Sequence, residues 1–386
     1  MLRLRVGRPG KALLATVVLA GATPVLVACS DPPQPCSTAA KAGLAVAVGG
    51  RANSPEPVVP DRVGALIDKA VADGAGINII RVDGRPSIAC AMSFKSDAAN
   101  PVARADDLNR FKRQARGAVS AIRAKEPEAN PLQALTLAAA SAGPRGTVVL
   151  LDSGVQTVAP LDFKVQGLLD ADSDAVVRAL SSDGYLPDLN GYTVVLAGIG
   201  YTAAPQAPLD DRRRTNLVHV WEKIVSAAGA TVETVTSPNT AAALKNVPTV
   251  TPVDVPATDV IHIGCNTESI LSNDGMVGFL PDSTTFVDTG LARMALAKFA
   301  AFLKLNLGAY AKLVGTVAHY GTDVGDGGLS RRRAQRVRDV LVDLGVDGSR
   351  IVAQGAGWGP FPTKSSPPNP ADDARNRRVV VTITCA

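Results

Sequence analysis

Apolar and polar positions along the chain fall into two successive patterns. In the first, short apolar runs alternate with segments of helical spacing. Residues 44–48 are uniformly apolar and end in Gly49-Gly50, which predicts a buried strand. Residues 62–72 place Val63, Leu66, Ile67 and Ala70 on one helical face. Residues 77–82 and 87–94 flank Asp83-Gly84 and predict a hairpin. Helices are expected over 108–125, 131–142, 174–180 and 217–228, with β-branched apolar strands over 147–151 and 193–199. Strands that are apolar throughout, separated by helices, predict a parallel sheet covered on both faces.

A stretch with Pro248, Pro252 and Pro256 among Val and Thr residues interrupts this alternation and predicts a stiff, extended linker. Beyond it the pattern changes. An amphipathic helix carries Leu291, Ala295, Phe299, Phe302 and Leu303. A strand follows over 313–317, and then a second helix with Ala334, Val337, Leu341 and Leu344. The expected organisation is a leader over 1–28, a tether over 29–41, an α/β domain over 42–235, a linker over 236–259 and a second domain over 260–386, an αβ sandwich.

The amino terminus alters the reading of charge. The 386-residue chain carries a formal +5, yet Arg3, Arg5, Arg8 and Lys11 precede the first acidic residue, Asp31. Beyond residue 28 the two signs balance within one charge. Nothing there favours nucleic acid as a partner. The basic start and the uncharged run 12–28 form the pattern of an export signal. Its end, Leu26-Val27-Ala28-Cys29, resembles the bacterial lipobox, which implies fatty acylation (palmitate among the chains) of Cys29 and anchoring to a membrane surface. Export favours disulfides among the remaining Cys36, Cys90, Cys265 and Cys385. Three pairings are open. Cys36–Cys90 with Cys265–Cys385 keeps each bond within one domain and is preferred. The three histidines, His219, His262 and His319, are scattered and no Cys pair has CxxC spacing, so neither a metal nor a cofactor is expected.

The order of elements over 42–235 resembles the von Willebrand factor A fold. Its metal motif is absent: the turn after the first strand reads Gly49-Gly50-Arg51-Ala52-Asn53-Ser54, without a carboxylate, and Asp152-Ser153 alone does not build the site. The first domain is therefore expected to be a metal-free scaffold or docking module.

Residues 260–386 carry a denser pattern. Gly315, Gly321, Leu329, Ser330, Arg333, Ala334 and Val337 are followed by Gly345-Val346, Gly355, Gly357 and Asn376-Arg377-Arg378-Val379. This series resembles the OmpA-like peptidoglycan-binding domain. The resemblance implies that Arg333 binds the free carboxylate of diaminopimelate in a peptidoglycan stem peptide, with Gly315, Leu329 and Ser330 at the site. The family aspartate of Gly-x-x-Asp falls on Ala318, and Asp326 or Asp323 are the candidate substitutes. Ser330 is read as the N-cap of the second helix, and Arg378 rather than Arg377 as the strand residue facing the ligand. Arg331 and Arg332 are read as solvated, and Trp358 as packing the Gly-rich loop.

The sequence lacks Gly-x-Ser-x-Gly, His-Glu-x-x-His and a P-loop, so an enzyme is not expected. The reading is a cell-envelope lipoprotein that links a membrane to peptidoglycan. Its alternative is a docking or assembly lipoprotein, with an envelope protein as partner, in which Ala318 marks a domain that has lost most of its stem-peptide affinity.

Overall fold

The computed structural model describes Cys36 and residues 42–255, 261–273, 275–280, 282–318, 328–361 and 369–386. Cys29, His319, Gly321, Asp323 and Asp326 lie outside these residues.

The first domain runs β1 (Leu44–Val48), α1 (Asp61–Ala72), β2 (Ile77–Arg81), β3 (Ser87–Met92), α2 (Pro101–Ser120), α3 (Pro131–Ala142), β4 (Thr147–Leu151), α4 (Ser173–Ser182), β5 (Thr193–Ala197), α5 (Asp211–Ala227) and β6 (Thr231–Val235). The sheet order is β3-β2-β1-β4-β5-β6, parallel except for the β2–β3 hairpin. Strand β1 shows why a continuous apolar run suits a sheet covered on both sides. Ala45 and Ala47 enter a core with α3, α4 and α5, while Leu44, Val46 and Val48 enter another with α1 and α2. Burying Leu44, Val46 or Val48 contributes about 1.5–3 kcal/mol each.

Chain direction across the sheet reverses between β1 and β4, and open α/β sheets ordinarily bind ligands in the crevice there. In this protein the crevice is sealed from within. The Arg51 guanidinium, fully buried, donates to Asp152 Oδ1 at 2.7 Å, Ser54 Oγ at 2.9 Å and Ser153 Oγ at 3.1 Å. A divalent cation fits poorly: the Arg51 guanidinium already occupies the place beside Asp152 Oδ1, Ser54 Oγ and Ser153 Oγ, and only Asp152 Oδ2 has no partner among the described residues. The functional site must be sought elsewhere.

The Pro-rich stretch expected to be a linker is extended but bound. Val250 and Val253 are buried against the first domain. Asn53 Nδ2 donates to the Val250 carbonyl at 3.0 Å, and Gln206 clasps Val253 through both its backbone groups. The valines between the prolines supply apolar contacts that a free spacer would leave in water.

The second domain contains β7 (Thr267–Ser272), α6 (Thr289–Leu305), β8 (Ala309–Val317), α7 (Gly328–Asp343), β9 (Ile351–Trp358), α8 (Pro370–Asn376) and β10 (Arg378–Cys385). Its sheet, β7-β10-β8-β9, pairs β8 with β9 in parallel and the rest antiparallel. Helices α6 and α7 cover one face, forming the αβ sandwich. Along β8, Ala309, Ala311 and Leu313 point into the core and Tyr310 and Lys312 outward, as a sheet with one wet face requires. Disulfides join Cys36 to Cys90 on β3 and Cys265 to Cys385 at the end of β10.

The short helix α8 leaves this sandwich and packs on the first domain. Ala371 and Ala374 belong to the core formed by Leu168, Leu169 and α4. The approach is close enough that a Cβ on Gly167 (φ 95°) would stand 2.6 Å from the Ala371 carbonyl oxygen.

Replacing Arg51 by Ala leaves the Asp152 carboxylate buried and without its cation. A loss of about 3–5 kcal/mol in urea-monitored unfolding free energy is expected, with Arg62→Ala, which breaks an exposed pair with Glu233, costing under about 1 kcal/mol as the control.

Candidate functional site

The site is built where α7 crosses β8. Gly315 makes the crossing possible: a Cβ there would lie 2.0 Å from the Ser330 carbonyl oxygen, so only glycine lets the helix lie this close. Helix α7 starts at Gly328, so Ser330 is inside its first turn and is not the N-cap. Its buried hydroxyl instead accepts from the Gly357 N–H at 3.1 Å, tying the helix to β9. Arg331 and Arg332 are exposed; Arg333, one position on, turns inward and is 4% exposed.

A loop over 279–286 receives Arg333. Phe279 and Phe286 form an antiparallel bridge with ring centroids 4.9 Å apart. Arg333 Nε donates to the Ser283 carbonyl at 3.0 Å, Nη2 donates to the Leu280 carbonyl at 3.2 Å, and the guanidinium lies 5.2 Å from the Phe279 ring centroid. All these partners are neutral. Among the described residues no carboxylate forms an ion pair with Arg333. Burial, reinforced by the like charge of Arg377 and opposed by Asp282, lowers its pKa to about 10. The group stays charged at neutral pH.

Arg333 lines a cleft of about 720 Å³ together with Phe279, Asp282, Leu329, Trp358 and Arg377. Ala318, the position at which the sequence resemblance expects a carboxylate, also lines it. Arg377, rather than Arg378, is the cleft residue of the pair. Arg378 begins β10 and stacks 5.2 Å over Phe361, its neighbours on a strand pointing to the opposite face. Burial lowers the Arg378 pKa, with no cleft contact. Trp358 is 42% exposed and lines the cleft.

Other motif positions prove to be structural. The fully buried Asn376 side chain accepts from the Phe361 N–H at 3.0 Å and donates to its carbonyl at 2.8 Å, while the Asn376 carbonyl accepts from Thr316 Oγ1 at 2.6 Å. It clasps Phe361 and thereby fixes where Arg377 emerges at the end of α8.

The cleft has a second wall that sequence reading missed. It comes from the first domain, from Asp170, Asp172, Asp174 and Arg178 around the start of α4, and from Arg212 and Asn216 on α5. The backbone carbonyls that grip Arg333 were equally invisible, since an acceptor oxygen leaves no residue signature. Among the described residues no three His, Cys, Asp or Glu side chains cluster to hold a metal ion, and no helix is long and apolar enough to cross a membrane.

Two charges of one sign, facing a cleft and lacking carboxylate partners among the described residues, suit a bound carboxylate, which a guanidinium can grip through two parallel hydrogen bonds. Carboxylate affinity is expected to be flat from pH 6 to 8 and to fall as pH rises past about 10, where Arg333 loses its proton. Titration of acetate or pimelate by calorimetry across that range checks this. A fall already at pH 7–8 would assign the anion to some other group.

Residues 278–377 match the family model described as the OmpA family. Solved structures similar to this chain include the periplasmic domain of Helicobacter pylori MotB (16% identity, TM-score 0.26, covering 32% of this chain and 79% of that one). The peptidoglycan-associated lipoprotein from Burkholderia pseudomallei is 23% identical (TM-score 0.25, 30% and 89%). The cell wall anchor of the T6SS from Pseudomonas aeruginosa is 22% identical (TM-score 0.26, 31% and 81%). No curated protein matches the chain.

Proposed function

We propose that this is a non-enzymatic cell-envelope protein, anchored by lipid at Cys29, whose second domain holds peptidoglycan. The OmpA family match over 278–377 supports the ligand class. The observation that carries the reading is Arg333, buried and fixed by neutral carbonyls, with its charge turned to a cleft. The free carboxylate of diaminopimelate in the stem peptide supplies the missing anion, with Arg377 adding to the field.

Holding the guanidinium by backbone oxygens gives direction without neutralisation. A carboxylate arriving from water then meets a preformed donor and loses little side-chain entropy on binding. Acyl chains contribute about 0.8 kcal/mol per buried CH₂, so two or more retain the protein at a membrane surface. Each attachment raises the effective concentration of the other, and neither has to be tight alone. The first domain serves as scaffold or protein-docking module.

Arg333→Ala is expected to weaken co-sedimentation of the full chain with purified sacculi about 10- to 100-fold, the range of a lost charge-assisted hydrogen bond. Arg331→Ala, on the exposed face of the same helix, should leave it unchanged; equal retention of Arg333→Ala would overturn the assignment. Cys29→Ala is expected to move the protein from the detergent phase to the aqueous one, and continued membrane retention would remove the anchor. Ala318 favours the second reading, a docking lipoprotein of weak wall affinity. A large gain in sacculus binding by Ala318→Asp would support it.

A further inference from the structure

The cleft around Arg333 belongs to both domains, and its two walls differ in sign. On the second-domain side stand Arg333 and Arg377 against Asp282. On the first-domain side four carboxylates, Asp170, Asp172, Asp174 and Asp211, face Arg178 and Arg212. Most of these acids are committed. Asp170 accepts from Arg212 at 2.8 Å and Arg213 at 2.9 Å, Asp174 pairs with Lys223 at 2.9 Å, and Asp211 pairs with Arg214. Among the described residues Asp172 has no close ion pair, only the longer contact with Arg178 and the field of Lys223. Its Oδ1 caps α4 at Ala175 N (2.9 Å) and lies 4.0 Å from Arg178, while its Oδ2 makes no hydrogen bond among the described residues.

The gap between the walls is set by packing. Helix α8 is buried in the first domain through Ala371 and Ala374, and it ends at Asn376, directly before Arg377. The docking that joins the domains therefore also sets the position of one of the cleft's cations. Arg333, only 4% exposed and without a carboxylate partner among the described residues, independently marks this cleft as a ligand site.

We propose that the first domain is the other half of the binding site: a zwitterionic ligand spans the cleft, its carboxylate on Arg333 and Arg377 and its ammonium on the first-domain wall at Asp172. This rests on the peptidoglycan reading above and extends it. The carboxylate that Ala318 cannot supply from the second domain comes from the first. The chemical class recognised is an amino-acid end with both charges free, as in the unlinked arm of diaminopimelate.

Two probes separate the two ends: meso-diaminopimelate, and pimelate, which has the same carbon chain and carboxylates but no amino groups. They are titrated calorimetrically into the full chain made soluble by Cys29→Ala. Asp172→Asn is the informative variant, because Asn caps a helix as well as Asp and only the charge is lost. It is expected to lower meso-diaminopimelate affinity about five- to tenfold and to leave pimelate affinity unchanged or raised, since a like charge is removed. Adding Ala318→Asp to Asp172→Asn should restore most of the loss. Arg333→Ala should weaken binding of both probes about 10- to 100-fold. If Asp172→Asn binds meso-diaminopimelate like the parent while Arg333→Ala does not, the two-domain site falls and the Arg333 reading stands. If Asp172→Asn weakens both probes equally, charge recognition by that wall is refuted. If Arg333→Ala changes neither, the peptidoglycan reading itself is gone.

Discussion

A buried guanidinium held by two carbonyl oxygens is the constraint around which the second domain is arranged. A carboxylate partner would neutralise Arg333 and end its usefulness; water would let it swing. The Leu280 and Ser283 carbonyls do neither. They exist in the right place because Phe279 and Phe286 close the loop between them, and Arg333 reaches them because Gly315 brings α7 down on β8. Desolvation is the cost, visible in the lowered pKa. That cost is of the kind a ligand's negative charge relieves.

The first domain is organised on the opposite logic. Its cation, Arg51, is surrounded by acceptors and fully internal, so the natural crevice of the sheet is closed. Its exposed chemistry lies instead at the helix starts beside α8. The packing of Ala371 and Ala374 into that domain makes two sandwiches share one cleft. Extended segments pinned by Gln206 and Asn53 reinforce the same compactness.

Much of this architecture was legible in the sequence, and the limits have physical causes. The strands over 44–48 and 147–151 announced themselves because both faces are buried. Helix α2 starts at Pro101 rather than near 108, and α5 at Asp211 rather than near 217. Their polar first turns hide from apolar periodicity, although Asn100 and Asp210 are legible caps. The fold of the second domain was read from positions such as Gly315, Ser330 and Asn376, which are packing residues. Those positions identify the scaffold well and the ligand contacts poorly. Choosing between Arg377 and Arg378 depends on strand parity at the end of α8, and the helix is too short to leave a periodic signal. The second wall of the cleft is a tertiary fact, set by docking between segments some 200 residues apart.

The bond between Cys36 and Cys90 fixes a length scale for the molecule in the envelope. With the proposed lipid at Cys29, seven residue steps lead from the lipid-bearing residue to Cys36 and its covalent tie to the sheet edge. Even fully extended, at about 3.3–3.6 Å per residue, that leash spans roughly 25 Å. On the proposed anchoring at Cys29, the folded part would be held within that reach of the lipid headgroups. A link to peptidoglycan, on the same proposal, would then be spaced by folded protein and not by loose chain.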